Sequence, residues 1–233
     1  MALRMITSLN TADIVSSKVN TNKYGGKAIY LNGPNKSRLM FQLPALKAIV
    51  GLKPNLDEKT GKVLSYSMPL SLDNPQLVEI LQKVDSYALD LIAENSLDLL
   101  GKKMSRDVIE AGDSWKPLVK PSKKEGYAPL LTLKPMLDAD GKITTEAYNS
   151  ERQLVDLAIL EKGQRVNCII EIAQIWRTAM GFGVSVRLHK VMMAPTQKLV
   201  GCAFLPEADT PVAESEEGEG SEDASEVSVS DEE

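Results

Sequence analysis

Aromatic and basic side chains are interleaved in one stretch of the chain, residues 102–134. This stretch holds eight Lys or Arg against four acidic residues, and it includes Trp115 and Tyr127. Single-stranded nucleic acids are bound by basic grooves that follow the phosphates and by aromatic rings that stack on bases, with each stacked base contributing about 1–3 kcal/mol. The pattern therefore predicts a nucleic-acid-binding segment, and a charged loop that is only solvated is the simpler alternative.

The candidate binding residues fall into two chemical groups. The residues that would neutralise phosphates are Lys102, Lys103, Arg106, Lys116, Lys120, Lys123, Lys124, Arg177 and Arg187. The rings that would stack on bases are Trp115, Tyr127 and Trp176. Packing and stacking are equally good interpretations of Trp115, which lies among lysines and prolines. Trp176 has the parity of the apolar face of its strand, which favours packing in the core.

The charges of the chain are strongly segregated. Of 32 acidic residues, 12 lie in residues 207–233, which contain no Lys or Arg. The remaining 20 acidic and 27 basic residues leave residues 1–206 with a net charge of about +7. The acidic segment has no aromatic residue and few large aliphatic ones, so we expect a disordered tail. A basic body is expected to attract polyanions, and its tail is able to compete for the same surface; a tail that serves only solubility is the alternative.

The residues of common enzymes and metal sites are scarce. The chain has two cysteines, Cys168 and Cys202, and one histidine, His189, too few for a structural zinc site. It lacks the glycine-rich phosphate loops, HExxH, Cys-x-x-Cys and G-x-S-x-G motifs. We therefore expect a protein that is not an enzyme and has no cofactor or metal.

The location of the protein follows from similar exclusions. No apolar run approaches the ~20 residues that span a bilayer, so no membrane partner is expected. The first ten residues, MALRMITSLN, have too short an apolar stretch for a signal peptide. The low cysteine content also favours a reducing, intracellular compartment.

One helix and several strands are expected to carry the candidate residues. Asp73 or Asn74 can cap a helix over about 75–95, extending to about 100, whose apolar residues recur at three- and four-residue spacing. Gly101 would end it. Short apolar or alternating segments predict strands at 27–31, 37–44, 63–72, 165–176 and 184–193. Residues 151–161 fit either a strand or a short helix. Because strands and helices do not alternate, we predict a mainly β fold: a small barrel or sandwich with one long inserted helix.

The last of these strands carry a family resemblance. The segment CIIEIAQIWRTAMGFGVSVRLHKVMM (168–193) resembles the strand–turn–strand end of the replicative single-stranded DNA-binding proteins of short-tailed coliphages. The shared pattern is a Trp, a small turn with Gly, and Ser-Val-x-Leu-x-x-Val-Met. Upstream, LMFQLPALKAIVGL (39–52) is similar to a segment of related proteins in nucleocytoplasmic large DNA viruses.

The resemblance implies a fold, a function and partners. It implies an OB-fold-like barrel over residues 1–206 with an inserted helix at about 75–100, a basic loop at about 102–134, and the acidic tail. It implies sequence-nonspecific binding of single-stranded DNA in viral DNA replication, recombination and repair, in the host nucleus or a cytoplasmic factory. The tail would recruit the viral DNA polymerase and primase-helicase, and the chain would form a homodimer. A structural or histone-chaperone-like protein that holds basic partners with its tail is the alternative.

Overall fold

The computed structural model describes residues 3–22, 25–122 and 125–196. Three of the expectations above concern residues outside these ranges: the phosphate-binding roles of Lys123 and Lys124, and the acidic tail. Within the described ranges, no helix has both the length and the apolar character needed to cross a membrane.

The longest helix forms where the capping signals place it. Helix α1 runs over Pro75–Glu94 and is followed by α2, Ser96–Leu100. The Asn74 side chain accepts two backbone N–H groups of the first turn, which would otherwise lack partners at the start of a helix. Gly101 follows α2 with φ of 82°, a left-handed conformation that glycine adopts without strain. The predicted helix over about 75–100 is therefore confirmed, with a break at Asn95.

Most of the remaining regular structure is strand. The strands in the described ranges are β1 (Arg4–Met5), β2 (Val15–Ser16), β3 (Asn20–Thr21), β4 (Lys27–Asn32), β5 (Leu39–Gln42), β6 (Leu46–Ala48), β7 (Lys53–Leu56), β8 (Val63–Ser71), β9 (Trp115–Lys116), β10 (Leu130–Pro135), β11 (Glu146–Tyr148), β12 (Leu154–Val155), β13 (Arg165–Thr178) and β14 (Gly181–Met193). Short 3-10 turns cover Ile6–Ser8, Thr11–Asp13, Pro34–Lys36 and Leu157–Ile159. The stretch 151–161, which fitted either a strand or a short helix, contains one short element of each kind.

Five of these strands pair in a closed ring. Strand β13 pairs with β6, β6 with β8, β8 with β10, β10 with β14, and β14 again with β13. The β10–β14 pair is parallel and the other four are antiparallel. A ring of five strands with an appended helix is the arrangement of an OB-like fold. The predicted fold class, mainly β with one long inserted helix, is confirmed.

The helix and the ring share one apolar core. The apolar stripe of α1, including Leu81, Val84 and Ile92, is buried in the same cluster as strand residues such as Phe41 and Ile170. Helix α1 contacts β14 and the first two 3-10 turns. The core therefore fixes β14 relative to the helix, which matters because β14 borders the site described below and α1 holds one of its walls.

The basic segment 102–134 is more regular than a loop. It contains α3 (Arg106–Glu110), β9 and most of β10. Helix α3 forms because Ile109 is buried and packs the helix against α1. The sequence did not reveal this helix, since five residues are too few to show an apolar period.

Candidate nucleic-acid interface

The edge of strand β14 carries an opening between two short neighbours. Strand β9 pairs with β14 at Phe182 and Gly183, and β10 pairs with the same edge at Arg187 and Leu188. Between these two contacts, residues 184–186 border a cleft of about 490 Å³. The other walls are formed by residues within 116–120 and within 131–136, that is, by β10 and the residue after it. The cleft is thus a gap in the sheet that is framed by backbone on three sides.

Cations surround this cleft. Among the described residues, its lining contains four basic residues and no Asp or Glu; the basic residues are Lys116, Lys120, Lys134 and Arg187. Lys134 and Arg187 are paired in the register of two adjacent parallel strands, so their backbones lie about 4.8 Å apart. Paired side chains of adjacent strands share one face, so two positive charges are carried close together there, and an anion between them would offset their repulsion. The cleft therefore suits a phosphate.

A buried carboxylate orients one of these cations. Glu171 is 6% exposed, and its Oε1 lies 3.8 Å from Nη1 of Arg187. Its other oxygen, Oε2, lies 2.8 Å from Nε2 of His189. Glu171 offsets part of the charge of Arg187 and limits the positions of its guanidinium. His189 acts here as a hydrogen-bond partner within the β13–β14 ribbon.

Trp176 faces this cleft because of an irregularity in β13. The pairing register with β14 shifts between Ile172 and Gln174, so that Ala173 is an extra residue. A bulge of this kind reverses which residues point inward. Ile172 and Ile175 are both buried, and Trp176 is half-buried and lines the cleft. The expectation that Trp176 shares the apolar face is therefore wrong, because simple alternation does not continue through the bulge.

The wall formed by residues 116–120 is tied to helix α1. Both carboxylate oxygens of Asp85 accept the N–H of Leu118 at 3.0 Å, and one of them accepts the N–H of Val119 at 3.3 Å. Asp85 is 7% exposed. Burial raises the pKa of its carboxyl to about 6, although the two backbone donors act in the opposite direction. This carboxyl group holds the backbone of the segment between Lys116 and Lys120 in place beside the cleft.

Two glycines of β14 allow the same wall to approach closely. A Cβ on Gly183 would lie 2.6 Å from the carbonyl oxygen of Lys116 and 3.4 Å from Cζ2 of Trp176. A Cβ on Gly181 would lie 2.5 Å from the carbonyl oxygen of Ser114. Distances of 2.5–2.6 Å to backbone atoms are not tolerated, so glycine is required where β9 joins β14. The sequence predicted a tight connection or a bulge between β13 and β14 at these glycines. The structure shows a tight connection, in which Thr178 pairs with Gly181 across the two-residue turn 179–180.

A second, smaller cleft lies on the other face of the β13–β14 ribbon. It has a volume of about 200 Å³, and its lining includes Lys102 and Arg177. Neighbouring residues of a strand point to opposite faces, and Trp176 and Arg177 are neighbours. The predicted phosphate-binding residues are thus divided between two clefts instead of sharing one groove.

Several other candidates lie outside both clefts. Arg106 is engaged by acids, with Nη1 at 2.5 Å from Oδ1 of Asp90 and Nε at 3.8 Å from Oε2 of Glu110. Lys103 is exposed and lines neither cleft. Trp115 packs on Phe182 with ring centroids 6.0 Å apart. Its contact with the core favours the packing interpretation.

Tyr127 belongs to a loop anchored at the rim of the first cleft. Its side chain is 69% exposed. The loop starts and ends at Lys120 and Leu130, which exchange two backbone hydrogen bonds of 2.9 and 2.8 Å. Lys123 and Lys124 belong to the same loop in the sequence, outside the described residues. Tyr127 does not line the cleft itself.

Sequence reasoning missed Lys134 and Asp85. The signal for Lys134 was the alternation in LLTLK, where Leu131 and Leu133 are buried and Lys134 is exposed. Asp85 interrupts the apolar stripe of the helix, and it was not identified because its partners are backbone groups of a distant segment. Within the described part of the chain, no group of His, Cys, Asp or Glu side chains is arranged to hold a metal ion.

The fold and the cleft define a class: a mainly β, OB-like protein with a cationic cleft along one strand edge. The chain belongs to the family of unknown function DUF5871, whose model matches residues 60–203. That span contains α1 and every residue that lines the cationic cleft. No curated protein matches the sequence.

Two solved structures are similar in shape. One is the single-stranded DNA-binding protein from bacteriophage Enc34 in complex with ssDNA, with 14% identity, a TM-score of 0.43, and coverage of 81% of this chain and 98% of that one. The other is gp2.5, a single-stranded DNA-binding protein encoded by bacteriophage T7, with 16% identity, a TM-score of 0.45, and coverage of 71% and 91%.

Proposed function

We propose that this protein binds single-stranded DNA without sequence preference, through the cationic cleft between β9 and β10. The observation that carries the proposal is the cleft itself, whose lining in the described part of the chain combines four basic residues and the ring of Trp176 and holds no acidic residue. Basic residues beside an accessible ring suit a chain of phosphates whose bases are unstacked. In duplex DNA the faces of the bases are covered by the neighbouring base pairs. A duplex would therefore contact only the basic residues of the cleft, through its phosphates.

The proposal extends to the setting in which the protein works. The likeness of residues 168–193 to phage replication proteins supports a role in viral DNA replication, recombination and repair, at an intracellular site where viral DNA is copied. An isolated single strand needs protection during all three processes. None of these processes requires chemistry at the cleft, where binding and release of the strand are sufficient.

The acidic tail is part of the proposed mechanism. Residues 207–233 carry 12 acidic residues and no basic ones, whereas residues 1–206 have a net charge of about +7. A polyanion attached to a cationic body has a high effective concentration, so weak contacts are enough to compete with DNA. When DNA displaces the tail, the tail would be available to basic surfaces of the polymerase or primase-helicase. Homodimerisation is a further part of the proposal, supported only by the family resemblance.

Equilibrium binding to two forms of DNA tests the function. The full-length protein is titrated into fluorescently labelled oligo-dT and into a duplex of the same length, at low and at physiological salt. Tighter binding of oligo-dT is expected under both conditions, with an affinity that falls as salt is raised. Equal affinity for the two forms, or no binding at low salt, would contradict the proposal. Tight binding of histones without DNA binding would instead favour the chaperone-like alternative.

A further inference from the structure

An exposed tyrosine shares a sheet face with Trp176. In the antiparallel pair β4–β13, Trp176 lies opposite Ala28 and Gln174 lies opposite Tyr30. Residues that are directly opposite, and residues two apart on one strand, point to the same face. Tyr30 and Trp176 are therefore diagonal neighbours, a relation in which backbone positions are about 7–8 Å apart and aromatic side chains reach each other. Tyr30 is 45% exposed.

The residues directly opposite Trp176 on the two neighbouring strands have small side chains. The cross-strand neighbours of Trp176 are Ala28 on β4 and Gly183 on β14. One has a single side-chain carbon and the other has none, so neither can cover the indole ring. The row thus leaves an aromatic surface next to the phenol ring of Tyr30.

A second row connects Tyr30 to the cationic cleft. Tyr30, Gln174 and Ser185 are paired across β4, β13 and β14. Ser185 lines the cleft. Two strand spacings separate Tyr30 from Ser185, a distance of about 10 Å. A polynucleotide that leaves the cleft across β13 would pass Trp176 and then reach Tyr30.

The backbone holds Tyr30 in place. Its N–H donates to Oγ of Ser17 at 3.0 Å, and its carbonyl accepts the N–H of Ser17 at 2.9 Å. These bonds fix the strand on the side away from β13. A ring on a fixed strand loses little conformational freedom when a base stacks on it.

We propose that Tyr30 is a second base-stacking residue, which extends the binding surface from the cleft across Trp176 to β4. This inference rests on the proposed function and specifies the path of the DNA. Because every base has an aromatic face, the contact is independent of sequence. Tyr30 lies outside the residues matched by the family model.

The test combines two variants with a series of oligo-dT lengths. For long oligonucleotides, Tyr30→Ala is expected to weaken binding about fivefold or more, whereas Tyr30→Phe keeps the ring and binds as the wild type does. For oligonucleotides short enough to fill only the cleft, all three proteins are expected to bind equally. Leu154→Ala is the control, since Leu154 is 68% exposed on β12, which pairs with β11, and it does not line the cationic cleft. Equal melting temperatures of the four proteins verify folding.

Two results would overturn the inference. One is an unchanged length dependence in Tyr30→Ala, and the other is an equal loss in Tyr30→Phe, which would assign the contact to the hydroxyl group. If the wild type fails to bind oligo-dT, the proposed function fails as well. If the wild type binds oligo-dT and Tyr30→Ala binds it equally well, the proposed function stands and the proposed path of the DNA across β4 is wrong.

Photo-crosslinking provides a second, independent measurement. The full-length wild-type protein is irradiated with bromodeoxyuridine-substituted single strands and digested with trypsin. Crosslinks are expected in the peptide 28–36, which contains Tyr30. Crosslinks in cleft peptides with none in this peptide would overturn the inference.

Discussion

Lys134 shows how a single residue acquires a binding role from its register. On its own strand it is an ordinary exposed lysine, but the parallel pairing places it beside Arg187 at the cleft. Its position on the outer face could be predicted from the buried leucines on either side of Thr132. The identity of its neighbour could not, because strand order is a property of the whole sheet.

The first prediction concerns this lysine. Lys134→Ala is expected to weaken binding to oligo-dT several-fold and to reduce the slope of log affinity against log salt by about one, since one phosphate contact is lost. The control is Lys142→Ala, because Lys142 is also exposed and lies in the turn after β10. Binding measured by anisotropy at four salt concentrations gives both quantities. An equal effect of the two substitutions would show that only total charge matters.

Asp85 provides a prediction on pH. In the unfolded chain the pKa of an Asp carboxyl is about 4, whereas burial raises the pKa of Asp85 to about 6. Because the pKa is higher in the folded state than in the unfolded chain, the contribution of Asp85 to the free energy of unfolding is largest below pH about 4. This contribution is lost as pH rises through about 6. Relative to Asp85→Asn, which does not titrate, the wild type is expected to lose about 2–3 kcal/mol between pH 4 and pH 7.

Urea unfolding of the wild type and of Asp85→Asn at pH 4, 5, 6 and 7 measures this difference. Asp140→Asn is the control, since Asp140 lies exposed in a turn. Parallel stability curves for the wild type and Asp85→Asn would contradict the assignment of the raised pKa.

At the scale of elements, the wall made by β9 depends on Gly183. Gly183→Ala is expected to destabilise the fold by about 1–3 kcal/mol, because the new Cβ would displace the backbone of Lys116. Binding of oligo-dT is expected to weaken as well, since Lys116 and Trp176 both adjoin the added carbon.

Gly112→Ala is the matched control for this substitution. A Cβ there would lie 3.4 Å and 3.5 Å from its two nearest atoms, which is close to ordinary contact. Urea midpoints and oligo-dT affinities of both variants are compared with the wild type. A smaller loss of stability in Gly183→Ala than in Gly112→Ala would show that β9 does not need the close approach.

The elements differ in how far the sequence predicts them. Helix α1 could be predicted because its apolar residues keep one period over twenty positions and because Asn74 caps its start. The break at Asn95 could not be predicted in the same way, and Gly101 ends α2 and not α1. The side of β13 on which Trp176 lies could not be predicted, since one extra residue at Ala173 reverses the alternation of the strand. Bulges depend on the partner strand and leave no clear signal in the sequence of their own strand.

At the scale of the whole molecule, the charge distribution divides the chain into a cationic body and an acidic tail. The charge balance was readable from composition alone. The sequence could not show which lysines face one opening, because that depends on the order of β9, β14 and β10 in the sheet.

Deletion of residues 207–233 tests the role of the tail. The shortened chain is expected to bind oligo-dT more tightly and with a steeper salt dependence, because a competing polyanion has been removed. A variant that keeps the tail length but replaces its acidic residues with Ser and Gln is expected to behave in the same way. Unchanged or weaker binding after deletion would leave the tail without an inhibitory role.

The most direct test of the central claim uses the fluorescence of Trp176. The chain has two tryptophans, so Trp115→Phe leaves Trp176 as the sole indole. Titration of this full-length variant with oligo-dT at low salt is expected to quench its emission to a plateau, with a weaker response to duplex DNA. Bound oligo-dT without any change in the emission of Trp176, or equal quenching by duplex, would contradict single-strand binding in this cleft.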